Sequence, residues 1–312
     1  GSNLARELVD AGSHVTIIDS LIPEYGGNME NLAGITDQVA LNISDIRDPH
    51  SIRALVQGVD VVFNLAGQTS HLDSMNDPQT DLDINAGAQV SLLEACRTEN
   101  PKAVIVFAST RQFYGKPDYL PVDEDHPIRP VDVNGVNKWA GETYHLLYHQ
   151  VYGMPTTALR LTNTYGPRMR VRDARQTFLG VWIRQVLTEE PIQIFGDGQQ
   201  RRDFTYVDDC VKALLLAATR PEAVGRVFNL GSSEVINLKE LAKMMTDLVP
   251  GSSYQLVPFP EDRKRIDIGD YFADTALISE PLGWSPSIDL TDGLARTVDY
   301  YREHGPAYWG EV

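Results

Sequence analysis

The chain has 312 residues, 42% of them hydrophobic and 22% charged, which is enough for one large or two modest domains with a sizeable core. Its 43 acidic and 27 basic residues give a net charge of −16, which disfavours nucleic acid and anionic lipid as partners. No apolar run is long enough to cross a membrane, no secretion signal is recognisable, and two lone cysteines, Cys96 and Cys210, predict buried thiols in a reducing cytoplasm without a metal site.

Strand and helix patterns alternate through the first half of the chain, which predicts parallel βαβ units. The predicted helices are Leu4–Ala11, Asp48–Gln57, Pro78–Arg97 and Gly135–Val151, and the predicted strands are Val15–Asp19, Val39–Ile43, Val59–Leu65 and Ala103–Ala108. The sequence therefore predicts an α/β domain over residues 1–165.

The rhythm changes after Pro167, so residues 166–312 are predicted to form mainly a smaller mixed α/β lobe, with parts returning to the first domain. The predicted elements of the lobe are a helix at Thr177–Leu187, a short strand at Pro191–Phe195, and further pieces at Val227–Gly231, Leu238–Val249 and Leu290–Arg302.

The helix predicted at Gly135–Val151 has a broad stripe of apolar and aromatic residues. Its members are Val136, Trp139, Ala140, Thr143, Tyr144, Leu147, Tyr148 and Val151. Packing on the sheet accounts for much of this stripe. A seam between the helices of two subunits is the other interpretation, and we expect a homodimer.

Two features at the start of the chain point to a dinucleotide site. Asp19 ends the second expected strand, where an acid accepts hydrogen bonds from an adenosine ribose and favours NAD over its phosphorylated form. Gly1 lies where the final glycine of a phosphate-binding loop would stand, although Gly1-Ser2 could also be an expression scar. On the first interpretation the fold is a Rossmann-like doubly wound parallel sheet whose first strand is missing from the chain. We then expect a gap between Val15–Asp19 and Val59–Leu65.

Two short segments support the same site. Asp45-Ile46 follows the third expected strand, where an adenine-contacting pair would stand, although a simple turn explains it equally well alone. Leu65-Ala66-Gly67 is a turn of small residues that would let the backbone approach a cofactor. Their order and spacing together are more specific than either segment.

Three longer motifs follow in the middle of the chain. They are VIVFASTRQFYG from Val104, NGVNK from Asn134 to Lys138, and LRLTNTYGPR from Leu159. Together they resemble the active centre of extended short-chain dehydrogenases/reductases, specifically the NAD-dependent nucleotide-sugar epimerases and dehydratases of the UDP-glucose 4-epimerase type. The resemblance covers almost the whole chain and implies NAD as cofactor and a nucleotide-sugar as substrate.

The resemblance also implies roles for individual residues. Thr110 matches the hydroxyl residue that hydrogen-bonds the sugar O4, and Lys138 matches the lysine that holds the nicotinamide ribose. In such enzymes a tyrosinate takes the proton of the 4-hydroxyl while hydride passes to NAD. Asn134 occupies the position of that tyrosine, and an amide has no proton that titrates near neutral pH.

Three accounts of Asn134 stay open. Another group acts as the base, with Tyr114 or a water held by Thr110 and Lys138 as candidates. Alternatively the substrate arrives already oxidised, or the site binds its ligands without turnover. Asn134 also suits a purely structural role as the N-cap of the helix that follows.

The residues after Thr110 bear on the reaction type. Dehydratases of the resembled family carry Asp-Glu there, and this chain carries Arg111 and Gln112. The 4-epimerases are therefore the better analogy.

Four residues of the second half match substrate-binding positions of the same family. Asn163 matches a residue that contacts the sugar diphosphate, and Arg168 follows it. Arg202 in GQQRRDFTYVDD matches a phosphate-binding arginine, whose planar guanidinium suits a diphosphate. Arg265 is a second candidate, although Asp267 stands where the family has its arginine.

The sequence thus predicts NAD-dependent epimerisation, most simply at C4, of a nucleotide-activated hexose through a 4-keto intermediate. A non-catalytic protein that binds NAD and a nucleotide-sugar is the alternative, as is a related reductase or dehydratase, because Asn134 replaces the tyrosine.

Overall fold

The structure is a computed structural model that describes residues 1–310. Within them the strands are β1 (Val15–Asp19), β2 (Val39–Ile43), β3 (Val61–Asn64), β4 (Val104–Thr110), β5 (Thr156–Leu161), β6 (Asn163–Tyr165), β7 (Ile192–Phe195), β8 (Arg201–Tyr206), β9 (Val227–Asn229), β10 (Val235–Asn237) and β11 (Tyr254–Val257). The helices are α1 (Ser2–Asp10), α2 (Pro49–Leu55), α3 (His71–Asn76), α4 (Pro78–Leu82), α5 (Ala88–Glu99), α6 (Val133–Tyr152), α7 (Phe178–Leu187), α8 (Val207–Thr219), α9 (Leu238–Leu248), α10 (Glu261–Lys264), α11 (Ala276–Leu282), α12 (Leu290–His304) and α13 (Pro306–Trp309).

Parallel strands form the centre of the first domain, as the βαβ pattern predicts. Strands β3, β4, β5 and β9 pair in that order and all in parallel. Strands β1 and β2 pair in parallel in a sheet of their own. Among the described residues no strand hydrogen-bonds to both β1 and β3, so the arrangement has the gap that the sequence predicts.

The segment Val227–Gly231 does not belong to the lobe, so that part of the prediction is wrong. Its strand β9 extends the central sheet beside β5, where Phe228 is fully buried. Helix α8 also packs against α1, β4 and β5. The chain therefore returns to the first domain after residue 166 because these apolar residues complete the core on one face of the sheet.

The smaller lobe contains two short sheets and its own apolar core. Strands β10, β8 and β6 form one sheet, and β11 and β7 form the other. Helices α7, α9 and α12 cover them, with Trp182, Leu241 and Leu294 in the shared core. This lobe faces the carboxyl ends of the central strands through β6, which directly follows β5.

Two helices near the centre differ from their predicted form. The region predicted as one helix over Pro78–Arg97 contains a π-helical turn at Asp83–Gly87 between α4 and α5. Such turns often mark functional sites because they redirect side chains. Helix α6 starts two residues earlier than predicted, because the Asp132 carboxylate caps it by accepting from the Gly135 amide at 2.6 Å.

Two expectations from the sequence concern membrane-spanning helices and the two cysteines. Within residues 1–310 no helix is both long and apolar enough to traverse a bilayer. Cys96 and Cys210 are buried free thiols, as predicted. Burial raises the pKa of Cys96 to about 12, so this thiol stays protonated and unreactive at neutral pH.

Candidate active site

The candidate site lies where the carboxyl ends of β3 and β4 meet the start of α6. The turn at Gly67 follows β3, Thr110 is the last residue of β4, and Lys138 lies in the second turn of α6. Ligands of open parallel sheets bind at this edge, because the helix N-termini and strand ends converge there. The Gly67 turn and the motifs that contain Thr110 and Lys138 are therefore brought to the same edge of the sheet.

Lys138 is a buried amine held at the floor of the site. Its Nζ donates to the Ala108 carbonyl at 3.0 Å and lies 4.9 Å from the centre of the Phe107 ring. Burial lowers the pKa of Lys138 to about 8, although the charge of Asp81 opposes that shift. A Cβ atom at Gly67 would lie only 2.9 Å from Nζ, so glycine at this position leaves the amine room to contact a ligand.

Asp81 is a fully buried carboxylate beside this lysine. Three side-chain amides donate to it, from Asn85 at 3.0 Å, Asn134 at 3.0 Å and Asn137 at 2.8 Å. We call these four residues the amide cluster. Buried polar groups are stable only when paired, and here one carboxylate satisfies donors from both α6 and the π-helical turn.

Asn134 belongs to the amide cluster and is not the N-cap, so that structural interpretation is wrong. Its side-chain nitrogen donates to the Gln68 carbonyl at 2.8 Å as well as to Asp81, and its backbone N–H donates to Ser74 Oγ at 3.2 Å. Both amide hydrogens are thus engaged. Asn134 anchors α6 to the segment after β3 and offers no proton for chemistry.

Tyr114, the candidate replacement base, is placed unfavourably for that role. Its side chain is fully buried, its hydroxyl donates to Asn229 Oδ1 at 2.8 Å, and it accepts from the Arg160 guanidinium. Burial raises the pKa of Tyr114 well above its ordinary value, despite the nearby Arg160 charge. A tyrosine locked in this way supports the packing of the sheet and cannot readily exchange a proton with a ligand.

A second buried carboxylate lies at the N-terminus of α6. Besides capping the helix, Asp132 accepts from Gln112 Nε2 at 2.8 Å, and His71 Nδ1 lies 3.0 Å from its Oδ2 atom. We call His71, Gln112 and Asp132 the imidazole cluster. Sequence reasoning missed His71 because 61 positions separate it from Asp132. One local signal was available, since the Ser70 cap with Asp73 three residues later starts a helix directly after the Gly67 turn.

The predicted adenosine-binding residues lie along the ends of β1 and β2. Asp19 Oδ1 accepts from the Leu21 amide at 2.8 Å, and a Cβ at Gly1 would meet no atom within 4 Å. Asp45 pairs with Arg47 at 2.7 Å, and that hydrogen bond lowers the pKa of Asp45. Ile46, Leu65 and Ala66 are half-buried, with Ile46 and Leu65 packed against the domain core.

Arg111, Asn163 and Arg202 form a polar group between the end of β4 and the β6–β8 pair of the lobe. Asn163 donates to the Asp203 carbonyl at 2.9 Å and accepts from Arg111 at 3.1 Å. The guanidinium of Arg111 stacks 4.9 Å from the Tyr271 ring centre. Arg202 is buried and donates to the Gly269 carbonyl and to Gln200, and burial lowers its pKa to about 10, helped by the charge of Arg111.

The other two predicted substrate arginines lie elsewhere. Arg168 donates to Asn3 of α1 at 2.8 Å and stacks on Tyr300, which places it near the predicted phosphate-loop helix rather than beside Asn163. Arg265 is exposed at the end of α10. Local sequence order predicted neither placement, because both depend on how the lobe packs against the first domain.

Comparison with known proteins agrees with this geometry. Residues 1–231 match the model of the NAD dependent epimerase/dehydratase family. The chain belongs to the NAD-dependent epimerase/dehydratase family. The family resemblance, the fold class and the cofactor inferred from sequence are therefore confirmed at this level.

Individual members of the family are similar over nearly the full chain. A putative UDP-glucose 4-epimerase of Methanocaldococcus jannaschii is 31% identical over 97% of this chain and 95% of its own. A dTDP-glucose 4,6-dehydratase of Streptomyces griseus is 32% identical over 97% of this chain and 91% of its own. The crystal structure of the Bacillus cereus UDP-glucuronic acid 4-epimerase, in complex with UDP-glucuronic acid and NAD, has a TM-score of 0.86 at 29% identity and covers 97% of this chain and 96% of that one.

These similarities make the protein a nucleotide-sugar epimerase/dehydratase of Rossmann-like fold, but they include both reaction types. The choice between them depends on residues in the site itself. Within the two clusters Asn134 is an anchored amide, and the titratable side chain that is partly exposed is the imidazole of His71.

Proposed function

We propose that the protein catalyses NAD-dependent epimerisation at C4 of a nucleotide-activated hexose, through a 4-keto intermediate. The observation that carries this proposal is the buried Lys138 amine beside the Gly67 turn, bonded to the Ala108 carbonyl of β4 two residues before Thr110. If Lys138 served only to position α6, it would not need to be a charged amine at the edge of the sheet where cofactors bind, because burying a charge costs free energy.

The residues present fit NAD. Gly67 leaves space beside the Lys138 amine that a side chain would fill, and Lys138 retains donors beyond its bond to Ala108. We assign Lys138 to the nicotinamide ribose, Asp19 to the adenosine ribose and Gly1 to the pyrophosphate. The adenine would lie against Asp45 and Ile46, and Leu65 and Ala66 would contact the cofactor through their backbone. When bound, NAD accepts a hydride from the sugar and returns it.

The substrate would lie between Thr110 and the lobe. Thr110 Oγ1 accepts from the Gln112 amide at 3.2 Å, which leaves its hydroxyl hydrogen available to the sugar O4. Asn163 and Arg202 are our candidates for the diphosphate, because both belong to the polar group that contains Arg111, the residue after Thr110. Arg168 bonds to Asn3 and Arg265 lies at the exposed end of α10, so neither is our candidate.

Epimerisation is favoured over dehydration by the side chains after Thr110. Arg111 is bound to Asn163, and Gln112 is bound to Asp132. Neither can protonate a leaving hydroxyl at neutral pH in the way that a carboxylic acid can.

A non-catalytic protein that binds NAD and a nucleotide-sugar is the second candidate. The observation in its favour is that Asn134 is locked in the amide cluster. The two candidates predict the same cofactor binding but different turnover, so only product formation separates them.

The test is a panel of UDP- and dTDP-hexoses incubated with the purified protein and NAD. We expect the wild type to convert at least one sugar into its C4 epimer, measured by chromatography and NMR spectroscopy, and we expect Lys138→Met to lose about 100-fold or more of that rate. If the wild type forms no epimer, no keto sugar and no NADH while Asn134→Tyr forms any of them, the binding-protein interpretation replaces the enzyme.

We also propose that two copies pair through α6. Along this helix Val136, Trp139, Leu147 and Val151 are exposed, which is unusual for large apolar side chains in one stripe. Trp139→Asp should convert the dimer to a monomer in light scattering, whereas Tyr25→Asp, which changes an exposed aromatic residue far from α6 in sequence, should not. A wild type that is monomeric at micromolar concentration would contradict the proposal.

A further inference from the structure

The imidazole cluster contains a partly exposed titratable ring beside a fully buried carboxylate. His71 is the first residue of α3, and 38% of its side chain is exposed, whereas the Asp132 side chain is completely buried. Their closest atoms, His71 Nδ1 and Asp132 Oδ2, are 3.0 Å apart. Among the described residues no group hydrogen-bonds to His71 Nε2, so this nitrogen is free to meet a ligand.

Asp132 is held as an anion by its neighbours. Burial alone would raise the pKa of Asp132, but the His71 ring, the Gly135 amide and Gln112 together lower it below the ordinary value. A buried carboxylate next to an imidazole keeps the proton on the near nitrogen and stabilises the imidazolium that forms when the far nitrogen accepts a proton. Asp132 can therefore orient and activate His71.

The imidazole cluster is connected by hydrogen bonds to both Thr110 and Asn134. The amide of Gln112 donates to Thr110 Oγ1 at 3.2 Å, and the side chain of the same Gln112 donates to Asp132. On the other side Ser74, one helical turn after His71, accepts from the backbone of Asn134. Hydrogen bonds through Gln112 and Ser74 thus link the surroundings of the ring to Thr110 and to Asn134, the residue at the proposed tyrosine position.

We propose that His71, positioned by Asp132, is the acid and base that exchanges the proton of the sugar 4-hydroxyl. This inference rests on the proposed function. In the oxidation the O4–H bond breaks, its proton passes to Nε2 of His71, and C4 becomes a carbonyl carbon as its hydride is accepted by NAD. In the reduction C4 regains the hydride on the opposite face of the sugar, and His71 returns the proton to O4.

Other titratable groups of the site are less suited to this exchange. Lys138 is buried and bonded to a carbonyl, and Asp81 is enclosed by amides. Around His71 itself the charged neighbours are Asp132 from α6 and Asp73 on its own helix, and Asp73 is paired with Arg175 of the lobe at 2.9 Å. The ring meets Oδ2 at a poor angle for a hydrogen bond, and such contacts commonly tighten when substrate binds.

The test compares His71→Gln with His50→Gln, a matched change at an exposed histidine on α2. With a sugar that the wild type epimerises, kcat of His71→Gln should fall by about 100- to 10,000-fold with little change in KM, and kcat of His50→Gln should stay at the wild-type value. Thermal unfolding of both variants checks that they are folded.

A second readout requires neither cofactor nor turnover. In NMR spectra of the histidine rings, wild-type His71 should carry its neutral-state proton on Nδ1, which faces Asp132, whereas in Asp132→Asn the side-chain amide should face the ring and move that proton to Nε2. Asparagine is also a good helix cap, so this variant retains α6.

The outcomes separate the two proposals. Full activity of His71→Gln in an active protein, or a His71 proton that stays on Nδ1 in Asp132→Asn, overturns the acid–base role and leaves the epimerase intact. A wild type without turnover on any sugar overturns the proposed function and the role of His71 with it.

Discussion

Two buried carboxylates flank the start of α6, and they have different kinds of partner. Asp81 receives only side-chain amides, from Asn85, Asn134 and Asn137. Asp132 receives an amide and a backbone N–H, but also an imidazole. Amides do not titrate near neutral pH and imidazoles do, so the first carboxylate can only anchor and the second can take part in proton transfer.

This difference explains how the centre tolerates Asn134. Its amide joins the segment after β3 to α6 through Gln68 and Asp81. The Lys138 amine lies at the same edge of the sheet. We propose that Asn134 stands at the family's tyrosine position and that the proton is carried instead by His71, on the helix whose Ser74 accepts from the Asn134 backbone.

The largest expected effect comes from breaking the amide cluster. Asp81→Asn replaces the shared acceptor by a fourth amide and leaves buried donors unpaired, so the free energy of unfolding should fall by about 3 to 5 kcal/mol. Asp132→Asn is the matched control, and it should cost about 1 kcal/mol because asparagine still caps the helix. Urea unfolding measures the free energy of unfolding of both variants. Equal losses would show that Asp81 contributes no more to stability than Asp132.

A smaller expected effect concerns the charge of the Lys138 amine, which the Asp81 carboxylate stabilises. The pKa of Lys138 is lowered by burial from 10.5 to about 8, so above pH 8 the unfolded chain binds a proton at this residue that the folded chain does not. Stability should therefore rise between pH 8 and 10.5 by up to about 3 kcal/mol relative to Lys138→Met. Parallel stability curves for the two proteins over this range would contradict the buried-amine assignment.

Sequence patterns predicted the central fold well, because each strand and helix there has its own local signal. Apolar runs marked β1 and β2 at their observed bounds, whereas the grouping of Thr110, Asn134 and Lys138 in one catalytic centre stays a prediction. The errors came from contacts distant in sequence. The apolar segment Val227–Gly231 gives no local sign of which sheet it joins.

The candidate proton-transfer residues also depend on contacts between residues that are distant in sequence. Tyr114 looked available in the sequence because its bonds to Asn229 and Arg160 form only in the folded chain. His71 looked ordinary because its carboxylate partner lies on another helix. Motifs identify the family's known positions, whereas replacements that arise around a changed residue become visible only from packing.

The central claim is that proton transfer occurs at the imidazole cluster and not at Asn134. The most direct test is kcat of wild type and Asp132→Asn on the same sugar, since asparagine keeps the helix cap but turns an amide towards the His71 ring. We expect kcat of the variant to fall by about 100- to 10,000-fold, with the protein still folded in thermal unfolding. A folded Asp132→Asn variant with the wild-type kcat would contradict the claim.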